Sequence, residues 1–104
     1  MKQFIVSYLG GDHPSSPEEG KKHFEAYQAW IGALGDAAVQ PMVPFKNIHC
    51  VSSKQTTQGS SVGMSGQTVL QAESIEEALE LVKDCPFLDI NGTLEVAEVV
   101  VMGN

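Results

Sequence analysis

The sequence predicts one small α+β domain, with strands and helices in the order β-α-β-β-α-β. Three observations favour this class. The 104 residues fit a single hydrophobic core, two Ser-x-x-Glu capping boxes each precede an apolar helical stripe, and β-branched runs lie near both ends of the chain. We therefore expect a single domain over residues 1–104.

The first strand and the first helix have the clearest signals. Residues 3–9 are rich in β-branched and aromatic types and end at Gly10-Gly11, which predicts a strand. After a loop, the run Ser16-Pro17-Glu18-Glu19 has the cap, the proline and the Glu typical of a helix N-terminus. Apolar residues at spacings of three and four then predict a helix with one buried face that stops at Gly35. They are Phe24, Tyr27, Ile31 and Leu34.

The middle of the chain is harder to interpret, because Pro41 and Pro44 interrupt any regular pattern. We place the second strand at about residues 46–52, where the only strand-like run occurs. Residues 59–66 are rich in Gly and Ser and predict a mobile connection or a long hairpin tip. Residues 68–72 predict the third strand.

The second helix begins at the capping box Ser74-Ile75-Glu76-Glu77, and its apolar stripe ends before Pro86. Residues 93–101 then form the most strand-like run in the chain. In this order of elements both helices lie on one face of an antiparallel sheet, the ferredoxin-like sandwich.

The second face of this sheet also carries apolar residues. On the first strand, one face carries Phe4, Val6 and Tyr8 and the other carries Ile5 and Leu9. On the last strand, one face carries Leu94 and Val96 and the other carries Ala97, Val99 and Val101. We expect a homodimer through the sheet faces to cover it, burying roughly 800 Å² per partner. The alternative is a monomer in which the loop at 52–67 folds over the sheet.

Composition excludes several classes of partner. The chain has 13 acidic and 6 basic residues, a net charge of -7, and no arginine, so a nucleic-acid partner is not expected. There is no apolar stretch of about 18 residues, and the opening apolar run is too short for a signal peptide, which favours a cytoplasmic protein without a membrane partner. Cys50 and Cys85 lie in no metal-type spacing, so we expect free thiols, no metal and no cofactor.

Six segments of the chain together resemble the YCII-related (YciI-like) domain family. They are Trp30–Asp36, Pro44-Phe45, Gly66–Ser74, Glu77-Ala78-Leu79, Cys85-Pro86 and Gly92–Val96. The likeness covers about residues 2–101 and implies a dimeric α/β barrel built from two ferredoxin-like halves. Most members have no assigned activity. A His and an Asp near a cleft suggest acid–base chemistry in the family, and a few relatives act on lactones or chlorinated aromatic breakdown products.

The family's histidine falls on His23 in this sequence. Its aspartate, expected immediately before the proline that follows the second helix, is replaced by Cys85, with Asp84 one position earlier. The resemblance therefore implies a histidine without its usual carboxylate partner.

The candidate site residues each have a structural alternative. His23 could act as a general base at the edge of the helical stripe, or be a partly exposed helix residue. Tyr8, Tyr27 and Trp30 could wall a pocket or belong to the core. His49 could face the barrel interior or solvent, and Cys85 is a pocket candidate or a small buried hydrophobe. His13 is interpreted as a loop residue.

Two functional classes remain open from the sequence. The first is a non-catalytic dimeric module that binds a small molecule or a protein. The second is a cofactor-free lyase, isomerase or hydrolase that uses His23 as its base, with a lactone or a haloaromatic breakdown product as substrate. The sequence favours the first, because a catalytic base is normally oriented by a partner group and the expected carboxylate is missing.

Overall fold

The structure is a computed structural model that describes residues 1–102. Four strands form an antiparallel sheet, and two helices cover one of its faces. The elements in chain order are β1 (Lys2–Gly10), α1 (Pro17–Leu34), β2 (Ala38–Pro44), β3 (His49–Val51), β4 (Thr56–Gln58), β5 (Met64–Ala72), α2 (Ile75–Val82) and β6 (Gly92–Glu98). Short 3₁₀ helices lie at Gly35–Ala37 and Pro86–Ile90.

Both helices are capped at their N-termini by the predicted serines. The Ser16 hydroxyl accepts the Glu19 amide N–H at 3.1 Å, and the Ser74 hydroxyl accepts the Glu77 amide N–H at 3.1 Å. α1 ends at Gly35, whose φ of 56° is a conformation that favours glycine. Within residues 1–102, no helix is both long enough and apolar enough to cross a membrane.

The sheet has the strand order β2-β5-β1-β6, with every neighbouring pair antiparallel. Val6 on β1 lies opposite Thr68 on β5 and Val96 on β6, so these three residues share the face that the helices cover. The ferredoxin-like α+β fold predicted from the sequence is confirmed.

The core lies between this face and the helices. Phe4, Val6 and Tyr8 on β1 are fully buried, as is Leu70 on β5. Trp30 of α1 and Val82 of α2 are buried in the same cluster as Tyr8 and Leu70. The alternation of β1 therefore positions its aromatic residues beneath the helices.

The predicted position of the second sheet strand, residues 46–52, is wrong: that place in the sheet is taken by Ala38–Pro44. β2 is an edge strand that pairs only with β5. A proline cannot donate to a ladder, and an edge strand tolerates one where its N–H side faces away from the sheet. Pro41 and Pro44 therefore do not prevent a strand here, although the pairing of β2 with β5 is irregular.

The strand-like run at residues 48–51 forms a separate two-stranded ribbon instead. β3 pairs with β4 outside the main sheet, within a segment that we call the hairpin arm, residues 46–62. Val51 in this arm is 74% exposed. The radius of gyration of 15.0 Å exceeds the value of about 13 Å expected for a compact chain of this length, as a projecting arm requires.

The second face of the sheet has an apolar row across three strands. Ile5 lies opposite both Val69 and Ala97, and polar residues occupy the neighbouring rows. The prediction that the last strand reaches Val101 is wrong, since β6 ends at Glu98. β1, the strand that pairs with β6, begins at Lys2, so little of its backbone is left to pair with residues after Glu98.

Candidate functional site

A cavity of about 390 Å³ lies between the N-terminal half of α1, the ends of β1 and β2, and the 3₁₀ helix at Pro86–Ile90. Its apolar lining residues are Pro14, Gly20, Phe24, Met42, Pro44, Phe87 and Ile90. Its polar lining residues are Tyr8, Asp12, Glu19, His23 and Tyr27. The site is thus a mostly apolar space with a few polar side chains.

Three hydroxyl groups meet at the inner end of the cavity; we call Tyr8, Tyr27 and Thr68 the hydroxyl cluster. The Tyr8 hydroxyl lies 2.7 Å from Thr68 Oγ1 and 3.2 Å from the Tyr27 hydroxyl, which is itself 3.2 Å from Thr68 Oγ1. The backbone N–H of Met42 donates to the Tyr27 hydroxyl at 2.8 Å. Both Tyr8 and Thr68 are fully buried, and each is hydrogen-bonded, as buried polar groups need to be.

Burial favours the neutral form of the Tyr8 phenol. The pKa of the Tyr8 phenol is raised far above its ordinary value, chiefly because burial disfavours the charged phenolate, although the hydrogen bond between Tyr8 and Thr68 acts in the opposite direction. Tyr8 is therefore a neutral phenol at any physiological pH.

Phe87 forms one wall of the cavity. Its ring packs edge-on against Tyr8, with the ring centroids 5.1 Å apart. Gly11 and Gly92 leave room for it: a Cβ at Gly11 would lie 2.8 Å from the Phe87 ring, and one at Gly92 would overlap the ring. The wall of the cavity therefore needs glycine at both Gly11 and Gly92.

Two carboxylates line the same cavity as His23. Asp12 Oδ2 accepts a hydrogen bond from the side-chain amide of Asn91 at 2.6 Å. Glu19 Oε2 accepts one from the Ser15 hydroxyl at 2.5 Å, and this bond lowers the pKa of the Glu19 carboxyl. Among residues 1–102, no lysine lines the cavity and no group of three His, Cys, Asp or Glu side chains is placed to hold a metal ion.

The structure brings three of the predicted site residues together: Tyr8, His23 and Tyr27 all line the cavity. His23 is half-buried on the first turns of α1. Its ring is thus available to a molecule in the cavity and is also partly open to solvent.

The other predicted residues lie elsewhere. Trp30 is buried in the core, where its indole N–H donates to the Leu81 carbonyl at 3.0 Å. Cys85 is also buried in the core, and burial raises the pKa of its thiol. His49 is exposed on the hairpin arm, with Nδ1 3.0 Å from the Asn47 carbonyl.

Sequence reasoning missed several lining residues. Phe24 was assigned to the buried stripe of α1, but its side chain is 58% exposed, because the cavity separates this part of the helix from the sheet. Asp12 carries no distinctive motif. Its position directly after the glycine pair that ends β1 was the one available signal, since loops at strand ends often carry functional residues.

A scan against protein-family models finds no match for this chain, and a search of the curated proteins finds none either. A search of solved structures does find similar chains. One is 5-chloro-2-hydroxyhydroquinone dehydrochlorinase (TftG) from Burkholderia phenoliruptrix AC1100, in complex with 2,5-dihydroxybenzoquinone. The likeness has a TM-score of 0.55 and 18% sequence identity and covers 91% of this chain and 90% of that one. At this identity it establishes a shared fold.

Proposed function

We propose that this chain is a YCII-related protein that binds a small, flat, mostly apolar molecule in the cavity beside α1, and that it works as a homodimer. The observation that carries the proposal is the cavity itself. Its volume of about 390 Å³ lies within the range of roughly 300–1,000 Å³ that is usual for small-molecule sites. Apolar walls with a few placed polar groups are also usual there.

The exposure of Phe24 supports a ligand at this place. A phenylalanine that is 58% exposed on an amphipathic helix leaves much of its apolar surface in water. A bound molecule would cover part of that surface, and burial stabilises by about 25 cal/mol per Å² of apolar area. Binding of an apolar ligand would therefore be favoured by burial of surface that Phe24 otherwise leaves in water.

Two kinds of likeness support the family and the ligand class. The motif order from Trp30 to Val96 resembles YCII-related domains, and the fold is similar to that of the dehydrochlorinase, which is in complex with a quinone. We propose by analogy that a single-ring compound is the ligand of this chain.

Titration with acetophenone, a neutral single-ring compound, tests binding at the cavity. We expect Phe24→Ala to weaken binding about tenfold, which corresponds to roughly 1.4 kcal/mol. Leu79→Ala on α2 is the matched control, because Leu79 is another exposed helix residue and lies outside the cavity lining. Isothermal calorimetry that finds no binding, or equal losses in both variants, would contradict the proposal.

The proposed dimer pairs two copies through the uncovered faces of their sheets. The apolar row of Ile5, Val69 and Ala97 crosses the middle of that face, where a two-fold axis would bring it against its own copy. Val100 and Val101, which lie two and three residues beyond the end of the edge strand β6, are 75% and 89% exposed. The central row, the two residues Val100 and Val101, and the hairpin arm are all surfaces that a second copy could cover.

Sedimentation at micromolar concentration tests the dimer. We expect a particle of twice the 11.2 kDa chain mass. We expect Val69→Glu to give single chains, because two carboxylates would be buried near the axis without partners. Gln28→Glu on the exposed side of α1 adds the same charge and is expected to leave the dimer intact. A wild-type protein that sediments as a single chain would contradict the proposal.

A second candidate function is a cofactor-free enzyme with His23 as general base, acting on a lactone or a haloaromatic breakdown product. The observation that favours it is that His23 lines the same cavity as Asp12 and Glu19, so carboxylates occur near the histidine although Cys85 replaces the family's aspartate. An imidazole there could remove a proton from a bound substrate or from a water molecule.

Turnover assays with a lactone and with a chlorinated hydroquinone distinguish the enzyme from the binding module. If the chain is an enzyme, His23→Ala abolishes activity and His13→Ala, which changes an exposed loop histidine, retains it. Activity that survives in His23→Ala would exclude this histidine as the base. Absence of turnover by folded wild-type protein that binds both compounds would leave the binding module.

A further inference from the structure

The hydroxyl cluster is not symmetric. The contact between Tyr8 and Thr68 is short, at 2.7 Å, whereas both contacts of the Tyr27 hydroxyl with its neighbours are 3.2 Å. Tyr27 is also only half-buried, while the other two residues are fully buried. Tyr8 and Thr68 therefore form a fixed pair, and Tyr27 is the member that can readjust.

Counting protons shows how Tyr27 can do so. Each hydroxyl has one proton to donate and two lone pairs that accept. Tyr8 can donate to Thr68 and Thr68 to Tyr27, while the Tyr27 oxygen also accepts the N–H of Met42 at 2.8 Å. Both lone pairs of Tyr27 are then occupied within the protein, and its own proton is free to point into the cavity. Only its contact with the Tyr8 oxygen, at 3.2 Å, is given up.

In this arrangement Tyr27 offers the cavity a hydrogen-bond donor. Tyr8 and Thr68 are fully buried, so Tyr27 is the hydroxyl of the cluster that is open to a molecule in the cavity. A ligand without an acceptor atom would leave the Tyr27 proton in its present weak contact and gain no hydrogen bond from it.

The charges around the cavity limit the ligand further. Asp12 and Glu19 line it, and the Ser15 hydroxyl lowers the pKa of Glu19, so this group stays ionised. No lysine or arginine is among the described lining residues, and the chain as a whole has a net charge of -7. An anionic ligand would therefore be repelled by these carboxylates.

We infer that the ligand is a neutral ring compound with an acceptor oxygen, such as a carbonyl, to which the Tyr27 hydroxyl donates a hydrogen bond. Tyr27 is the residue that determines this preference, while Tyr8 and Thr68 hold its oxygen in place. The inference rests on the proposed function, since it specifies what the same cavity binds.

Three probes of nearly equal shape test the inference. Acetophenone is neutral and has a carbonyl oxygen, α-methylstyrene replaces that oxygen by a methylene group, and benzoate carries a negative charge. We expect the affinity for acetophenone divided by that for α-methylstyrene to be about fivefold higher in wild type than in Tyr27→Phe, the effect of one net hydrogen bond. The two probes differ in hydration, and comparing the two proteins cancels this difference. Benzoate is expected to bind more weakly than acetophenone.

The variant Tyr27→Phe assigns the preference to its residue. We expect its affinity for acetophenone to fall about fivefold relative to wild type, while its affinity for α-methylstyrene is retained, which shows that the cavity is still formed. Thr93→Val is the matched control, because it removes an exposed hydroxyl that lies outside the cavity lining, and the wild-type ratio of the two affinities is expected to remain.

The possible failures are distinguishable. If Tyr27→Phe leaves the ratio of the two neutral probes' affinities unchanged, the acceptor preference of Tyr27 is overturned while the proposed cavity function stands. If benzoate binds as tightly as acetophenone, the requirement for a neutral ligand is overturned. If none of the neutral probes binds, both the inference and the proposed function are overturned.

Discussion

The helix-covered half of the molecule and the hairpin arm differ in what holds them together. In the covered half, Tyr8 is fully buried, bonded to Thr68 and packed against Phe87. In the arm, β3 pairs with β4 alone, and Val51 is 74% exposed. An isolated two-stranded hairpin is only marginally stable in water, so the arm adds little to the stability of a single chain.

This difference separates two tasks. The covered half supplies a rigid frame for the cavity, since the side chains at its inner end are fixed by burial and hydrogen bonds. The arm and the uncovered sheet face contribute surface instead of stability, which is what an assembly with a second copy would use. The predictions below test this division by making comparable changes in the packed and the exposed regions.

The largest effect is expected from removing a buried aliphatic side chain. Leu70→Ala should lower the free energy of unfolding by about 2–5 kcal/mol, because Leu70 is fully buried between the sheet and the helices. Val51→Ala in the arm should change it by less than about 0.5 kcal/mol. Denaturation in urea at low protein concentration measures both. Similar losses in the two variants would show that the arm is part of the cooperative core.

A smaller effect is expected from crowding the wall of the cavity. In Gly92→Ala the new Cβ would overlap the Phe87 ring, so the unfolding free energy should fall by about 1–3 kcal/mol. In the control Gly32→Ala, on α1, a Cβ would meet no atom within 4 Å. There the protein should gain about 0.5–1 kcal/mol, the usual preference for alanine over glycine within a helix. A harmless Gly92→Ala would contradict the packing of Phe87 described above.

Alkaline pH should lower the free energy of unfolding through two buried groups of the helix-covered half, the Cys85 thiol and the Tyr8 phenol. Burial raises the pKa values of Cys85 and Tyr8 above their ordinary 9.0 and 10.0, so the unfolded chain loses these protons first as the pH rises. Their stabilisation is complete below about pH 9 and then decreases by at most about 1.4 kcal/mol per pH unit for each group. Unfolding of Cys85→Ala and Tyr8→Phe between pH 8 and 11 should show a flatter slope than wild type. A slope unchanged in both variants would contradict this assignment.

The smallest effect concerns a helix cap. Ser74 caps α2 through the Glu77 amide, and Ser74→Ala should cost about 1 kcal/mol of unfolding free energy. Ser53→Ala in the hairpin arm is the control, since Ser53 is exposed, and thermal unfolding should not distinguish it from wild type. An equal change in both variants would mean that the cap contributes nothing specific.

The same two regions show how far the sequence could predict the structure. The helix ends were predictable because capping is local chemistry: Ser16 and Ser74 act on amides three residues away. β2 was not, because the prolines at 41 and 44 are compatible with a strand only at a sheet edge, and edge position is a property of the whole topology.

The site was predictable only in part, for the same reason. His23 and Tyr27 were found because they lie near the apolar stripe of α1, and Tyr8 because it alternates inward on β1. Asp12 reaches the cavity through a loop whose path no periodicity reveals, and Phe24 was misplaced because the periodic pattern of a helix does not show where a cavity separates it from the sheet.

The central claim is that a small molecule binds under α1 and not on the arm or the open sheet face. A crystal structure of the wild-type protein with bound acetophenone tests it most directly. The account predicts the ring between Phe24 and Phe87, with the carbonyl oxygen within hydrogen-bonding distance of the Tyr27 hydroxyl. A ligand seated against Ile5 and Val69, or against the hairpin arm, with the cavity beside His23 empty, would contradict it.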